Sequence, residues 1–310
     1  MIALHHSLWR ILPTKRRAVV SLSSAVVTLA LAVPSFAKTM TIGTISTSPV
    51  EETRVFQPFA DDLAGRLAED GIDDAKVVIA TDIQHMAALL KSGAVDLYID
   101  SSVTALAVNA LSGSQYMLRR WKKGRSQYRS VIFVRDDSDI KTLDDLKNKV
   151  IAFEEPFSTS GFMLPAMTLK REGMKLAAVQ AVHVRPPAGT IGSIMAFDNE
   201  TQSSWVERGR VQAAAMAEED FHTFAKTALN PLRVLYTTPY VPYHVVIHRP
   251  DLDHKLVQGI KKVLKSAHET QSGQSMLKNF ERTAKFDDIP EQLLGHVTVL
   301  TPFLSLILSP

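Results

Sequence analysis

Three consecutive hydroxyl residues and a glycine, Ser158-Thr159-Ser160-Gly161, stand between an apolar run and a stretch of helical character. Val150 to Phe153 reads as a strand, Glu154 to Phe157 as a short loop, and Ser158 to about Glu172 as a helix. A helix N-terminus carries about half a positive charge and several unbonded N–H groups. Three hydroxyls placed there add neutral donors, and a glycine lets the backbone approach a ligand closely. That is the chemistry of an anion cradle needing neither lysine nor arginine. Ser158 equally suits an ordinary helix N-cap, so the local pattern alone leaves both roles open.

Other reactive residue types form no catalytic or metal-binding pattern. Glu154 and Glu155 are adjacent in sequence, point in opposite directions and make a poor acid–base pair. His244 and His248 are four apart on an expected strand and share a face without the spacing of a helical ligand pair. No G-x-S-x-G and no phosphate-binding P-loop motif occurs. Lys122, Lys123 and Arg125 read as a solvated basic loop or as a device for steering anions. Tyr98, Tyr240 and Tyr243 are candidates to line a cleft, with Tyr98 inside a strand. The reading is therefore no catalytic residue, no metal and no cofactor.

The elements that must position the cradle are alternating strands and helices. Met40 to Ile45 is a strand. A helix follows from about Glu51 to Asp70, with Val55, Phe56, Phe59, Leu63 and Leu67 on one face. Lys76 to Ala80, Val95 to Ile99, Tyr128 to Arg135, Ala181 to Val184, Val211 to Met216 and Val245 to His248 are further strands. Asp82 to Ser92 and Leu252 to Ser266 are helices. Such alternation predicts parallel sheets flanked by helices. It divides into two α/β lobes, residues 38–135 plus 236–310 and the inserted 136–235. Two crossings, near 128–135 and 236–248, form the expected hinge. Ligands of open α/β sheets bind beyond the carboxyl ends of the strands, here between the lobes, and hinge closure is the matching motion.

Composition narrows the class. The 310 residues are 45% hydrophobic and 22% charged, with no cysteine, which is globular rather than disordered or disulfide-stapled. Residues 1–37 combine a basic flank (Arg10, Lys15, Arg16, Arg17), an apolar run from Ala18 to Val33 and small residues ending at Ala37. That is a secretory signal with cleavage expected after Ala37. The alternative, an uncleaved anchor, has a run that is short for a bilayer span. Removing four positive charges from the formal +3 leaves −1 on the rest, so the pI of 9.0 gives no reason to expect nucleic acid. An exported chain without cysteine fits a bacterial periplasm.

Taken in order along the chain, these blocks resemble the PhnD-like family of periplasmic binding proteins for phosphonate, phosphite and phosphate import. Ser158-Thr159-Ser160-Gly161 with its Glu-Pro flank and Pro165 is similar to that family's most specific signature. Val95 to Ser101, Tyr128 to Ile132, Leu143-Asp144-Asp145-Leu146-Lys147, Trp205 to Val211 and Pro239-Tyr240-Val241-Pro242 resemble weaker family blocks. The resemblance covers roughly residues 40–265. It implies a type II periplasmic binding fold of two lobes and a two-strand hinge, a small oxyanion as ligand, and an inner-membrane ABC permease as partner. A sensor kinase served by the same fold is the alternative, and a monomer is the natural form.

For the site, the resemblance implies Ser158, Thr159, Ser160 and Gly161 on the phosphonyl oxygens. Thr44, Ser46, Asp100 and Ser101 are implied from the opposing lobe. It also implies departures. Asp100 stands where a Tyr is common, His244 where an acid holds a ligand amine, and Asn199 or a neighbour where a His lines the cleft. Glu219, with Glu218 and Asp220, follows a strand end and is placed facing the cleft. An acidic lining favours a protonated oxyanion or a ligand bearing an amine, because a carboxylate 4 Å from a like charge costs about 4 kcal/mol at an effective dielectric of 20.

Overall fold

The computed structural model describes residues 38–308. The expected signal segment and its cleavage point lie outside the described residues. Among the described residues no helix is long and apolar enough to cross a membrane.

The chain opens with β1 (Lys38–Ile45), α1 (Pro49–Arg66), β2 (Ile72–Ala80), α2 (Ile83–Lys91), β3 (Leu97–Ser101), α3 (Ser102–Ser112) and β4 (Gln115–Arg120). Two short crossings, β5 (Gln127–Tyr128) and later β12 (Val241–Pro242), pair antiparallel with each other. Between them run β6 (Ser130–Arg135), β7 (Val150–Phe153), α4 (Leu164–Arg171), β8 (Leu176–Ala178), β9 (Ile191–Met195), α5 (Asn199–Glu207), β10 (Ala213–Ala217), α6 (Glu218–Ala225) and β11 (Leu232–Thr237). The chain then adds β13 (His244–His248), α7 (His254–Ser266), α8 (Gln271–Asn279), β14 (Phe286–Asp287), α9 (Glu291–Thr298) and α10 (Ser305–Leu308).

These strands form two six-stranded mixed sheets, ordered β14-β4-β13-β3-β1-β2 and β11-β6-β10-β7-β9-β8. The β-α-β runs pair in parallel, as short crossover helices require. The strands entering from the crossings, β6 and β13, pair antiparallel with their neighbours. The expected two-sheet α/β architecture is present, but the first sheet is not mainly parallel as expected: three of its pairings are antiparallel and two parallel, because β13 enters from the crossing between β3 and β4, and β14 adds at the edge beside β4. The change of sheet, however, precedes Ser130, so β6 belongs with the second sheet, whereas the expected lobe boundary falls after Arg135.

Local chemistry explains most elements. In α1 the expected face buries Phe56, Phe59 and Leu63, with Phe59 stacked on Phe280 at 4.0 Å between ring centroids. The α2 helix is capped by the Asp82 carboxylate, which accepts from His85 N–H at 2.7 Å. In α7 Leu256, Val257, Ile260 and Leu264 are buried at helical spacing. Residues 181–184 form no strand. That edge position is taken by β8, five residues earlier, and Val182 packs from a turn against the second sheet's core.

Candidate functional site

A cavity of about 320 Å³ lies where the carboxyl ends of β1 and β3 meet those of β7 and β10. Thr44, Ser46, Asp100, Ser101, Ser158, Thr159, Ser160, Asn199 and His244 all line it. Gly161 lies behind the wall. Glu219 lies outside, paired with Arg125, and its neighbour Asp220 lines the cavity instead.

The cradle is a single wide π-helical turn, Thr159–Met163, running directly into α4. Such turns recur at functional sites because they open the backbone ladder. Met163 N–H reaches back to Ser158 C=O at 2.9 Å. Ser158 caps the turn, its Oγ accepting from Gly161 N–H at 3.0 Å and donating to Glu154 Oε2 at 2.6 Å. The N–H groups of Thr159 and Ser160 and the Ser160 hydroxyl have no acceptor among the described residues. They are uncommitted donors. Gly161 is required here: a Cβ at that position would overlap Glu154 Cβ and Oε2 and crowd Ser158 Oγ.

Thr159 plays a different part. Its side chain is buried, and its Oγ1 accepts from Val103 N–H (3.2 Å) and Thr104 N–H (3.3 Å) while donating to Ser101 Oγ (3.0 Å). Thr104 Oγ1 in turn donates to Phe157 C=O at 2.6 Å. The hydroxyl therefore caps the start of α3 across the interface between the two sheets' layers.

Asp100 is held by its own side of the cavity. It accepts from Ser101 N–H (2.6 Å), Tyr98 Oη (2.9 Å), Thr44 Oγ1 (3.2 Å) and Ile45 N–H (3.3 Å). Burial pushes its carboxyl up, against the pull of these bonds. Register brings these groups together, because β1 and β3 are paired neighbours. Tyr98 is structural, as its place in a strand implies.

The lining carries six carboxyl groups and two lysines. Burial raises Glu154, Glu155, Asp220 and Glu52 above their ordinary values. Glu155 also accepts from Thr47 Oγ1 at 3.0 Å across the cleft. For Glu281 burial acts in the same upward direction, but Lys122 and Arg120 together bring it below the usual range. Glu281 pairs with Lys122 Nζ at 2.9 Å and with Arg120 Nη2 at 3.0 Å. Arg120 is fully buried over the Phe280 ring, and burial lowers its guanidinium to about 10. His244 is held neutral by burial and by Lys122, Arg120 and Lys123, and its buried Nδ1 has no hydrogen-bond partner. Tyr128 and Tyr243 stack at 4.3 Å and close the wall at the crossings.

Sequence reasoning did not place Glu52 or Glu281 here, and left Lys122 and Lys123 between a solvated loop and a steering role. Both lysines line the cavity. Lys123 and Glu281 adopt left-handed backbone (φ 52° and 49°), an uncommon conformation for such residues that carries no sequence signal. Among the described residues no group of three or more His, Asp or Glu is placed to hold a metal ion.

The model of the family described as ABC transporter, phosphonate, periplasmic substrate-binding protein matches residues 42–292. The chain is 25% identical over 224 residues to the phosphonates-binding periplasmic protein of Escherichia coli, a match covering 69% of this chain and 62% of that relative. A protein of Xanthomonas citri solved bound to chloride ion superposes with a TM-score of 0.80 at 24% identity, covering 87% of this chain and 98% of that one. The methylphosphonate complex of a Prochlorococcus marinus protein gives a TM-score of 0.62 at 18% identity, covering 86% and 98%. At these identities the two solved structures speak to the fold alone.

Proposed function

The chain belongs to the family of periplasmic substrate-binding proteins of phosphonate ABC transporters, and on that premise we propose that it binds a phosphorus oxyanion in the cavity between its two sheets and delivers it to an inner-membrane permease. Proteins of this family bind substrate and are not enzymes. The observation that carries the reading is the Ser158–Gly161 turn, in which the N–H groups of Thr159 and Ser160 and the Ser160 hydroxyl have no acceptor among the described residues and belong to residues that line the cavity. Uncommitted donors at a helix start are complementary to an oxyanion. Lys122, paired with Glu281, and Lys123 supply positive charge among the lining residues. The carboxyl groups around them favour a protonated oxyanion or one carrying an amine over a bare dianion.

The β5–β12 pair is the proposed hinge. Residues 1–37 are the proposed export signal, and the working form is a monomer. Thermal melting against phosphate, phosphite, methylphosphonate, 2-aminoethylphosphonate, sulfate and amino acids tests the reading. A ligand at 100 times its Kd stabilises the folded protein by about 2.7 kcal/mol, a shift of a few degrees at this size. A shift confined to phosphorus compounds supports the proposal. Shifts with amino acids alone would contradict it.

A further inference from the structure

Ser158 has a completely assigned hydroxyl. Its hydrogen goes to Glu154 Oε2 at 2.6 Å and one lone pair accepts from Gly161 N–H at 3.0 Å. A hydroxyl has one donor and two acceptor positions. What Ser158 has left for the cavity is therefore a lone pair, in contrast to the donors offered next to it by Ser160. A lone pair repels a bare oxyanion oxygen and attracts one that brings its own hydrogen.

The arrangement is built to hold. A hydrogen bond to a carboxylate is short and charge-assisted. Space for that carboxylate exists because position 161 has no side chain. The charged groups acting on Glu154 are Glu155 beside it, Asp198 before α5 and Asp220 at the start of α6, all of them acids. Burial and these acids raise the Glu154 carboxyl, whereas the hydrogen bond from Ser158 O–H favours its ionised form and lowers it.

We propose that Glu154 is the selectivity residue of the cradle: by fixing Ser158 as an acceptor, it makes the cleft take an oxyanion that carries a P–OH hydrogen and refuse a sulfur oxyanion of the same shape that carries none. The bound chain runs from P–O–H to Ser158 Oγ, and from Ser158 O–H to Glu154. This inference rests on the proposed phosphorus oxyanion ligand and specifies its protonation state. A site built to pair with a hydroxyl rejects the analogue lacking it strongly, because a buried polar group is then left unpaired.

The test is titration calorimetry of the protein with three matched pairs: phosphate and sulfate, methylphosphonate and methanesulfonate, 2-aminoethylphosphonate and taurine. At pH 7 a phosphoryl group with a second pKa of about 6 still supplies a protonated fraction, whereas the sulfur members supply none. In any pair that binds, the phosphorus member is expected to win by at least about 100-fold. Glu154→Ala frees the Ser158 hydrogen to donate, and the ratio is expected to narrow to within about 10-fold, mainly by gain of the sulfur member. Glu155→Gln removes an equal charge that is bonded to Thr47 and not to Ser158. It is expected to shift both members together and keep the wild-type ratio.

Equal binding within a pair by the wild-type protein overturns the inference alone and needs no variant. So does a ratio unchanged in Glu154→Ala whose melting shows it folded, or an equal narrowing in Glu155→Gln. Absence of binding by all three phosphorus compounds overturns the functional reading and the inference with it.

Discussion

Thr159 Oγ1, in the cradle of the second sheet, accepts hydrogen bonds from Val103 N–H and Thr104 N–H in the first turn of α3, beside the first sheet. One neutral hydroxyl thus satisfies two of the unbonded donors at a helix start and ties the two layers together. Thr159→Ala is expected to cost about 1–2 kcal/mol of stability, the range of a lost N-cap. Thr159→Ser should recover most of it. Urea denaturation measures both, and a Thr159→Ala protein as stable as wild type would contradict the capping role.

At Gly161 the expected effect is steric. An added Cβ meets the Glu154 Cβ, which no rotation of that side chain can move away. Gly161→Ala should lower stability by about 1–3 kcal/mol, the usual penalty for overpacking. It should also weaken ligand binding, because the turn must shift. Denaturation and titration of the same variant check both effects, and unchanged values in both would show that the turn is slack.

The legible part of the site is the part made by neighbours in sequence. Four consecutive residues carry the cradle, and the strand before it and helix after it are read from periodicity. Asp100 shows the limit. Its partners Thr44 and Ile45 arrive through the pairing of β1 with β3, and a sequence pattern does not show that a carboxylate will find four donors. Glu281 is further out of reach, delivered from a late segment by left-handed backbone at Glu281 and Arg282. The apolar residues of 181–184 look like a strand because a packed turn and an edge strand bury similar residues.

His244, half-buried with its Nδ1 shut off from water, gives stability a pH dependence of definite sign. Its folded pKa lies below the ordinary value of 6.5, so below about pH 6.5 the unfolded chain binds a proton that the folded chain does not. Its contribution makes stability fall as pH drops from 7 to 5. The raised carboxyl groups act oppositely, since their folded forms take up protons first, so the test is a difference. His244→Gln should lose less stability than wild type over that interval, measured by denaturation at each pH. Parallel pH profiles would contradict a neutral buried imidazole.

Glu281 is the partner of a guanidinium with no exposure to water. Glu281→Ala leaves Arg120 with Thr283, the Phe280 carbonyl and the Phe280 ring, but with no ion-paired carboxylate and only the weaker pull of Glu52. Breaking a buried pair from one side costs about 3–5 kcal/mol. The Glu281 side chain is 23% exposed, which lowers the expectation to about 2–3 kcal/mol. Denaturation of Glu281→Ala with Glu281→Gln beside it measures the cost, and a loss under half a kcal/mol would show that Arg120 needs no carboxylate.

The most direct test of the central claim is titration of phosphate, methylphosphonate and 2-aminoethylphosphonate into the wild-type protein and into Ser160→Ala. The Ser160 hydroxyl has no hydrogen-bond partner among the described residues and Ser160 lines the cavity, so its removal is expected to touch the ligand and not the fold. The account predicts that at least one of the three binds the wild type. Its affinity should fall about 10- to 150-fold in Ser160→Ala, equivalent to the ~1.5–3 kcal/mol of a hydrogen bond to a charged group, with the melting temperature unchanged. Binding that is equally tight in the variant, or absent from the wild type for all three, would contradict it.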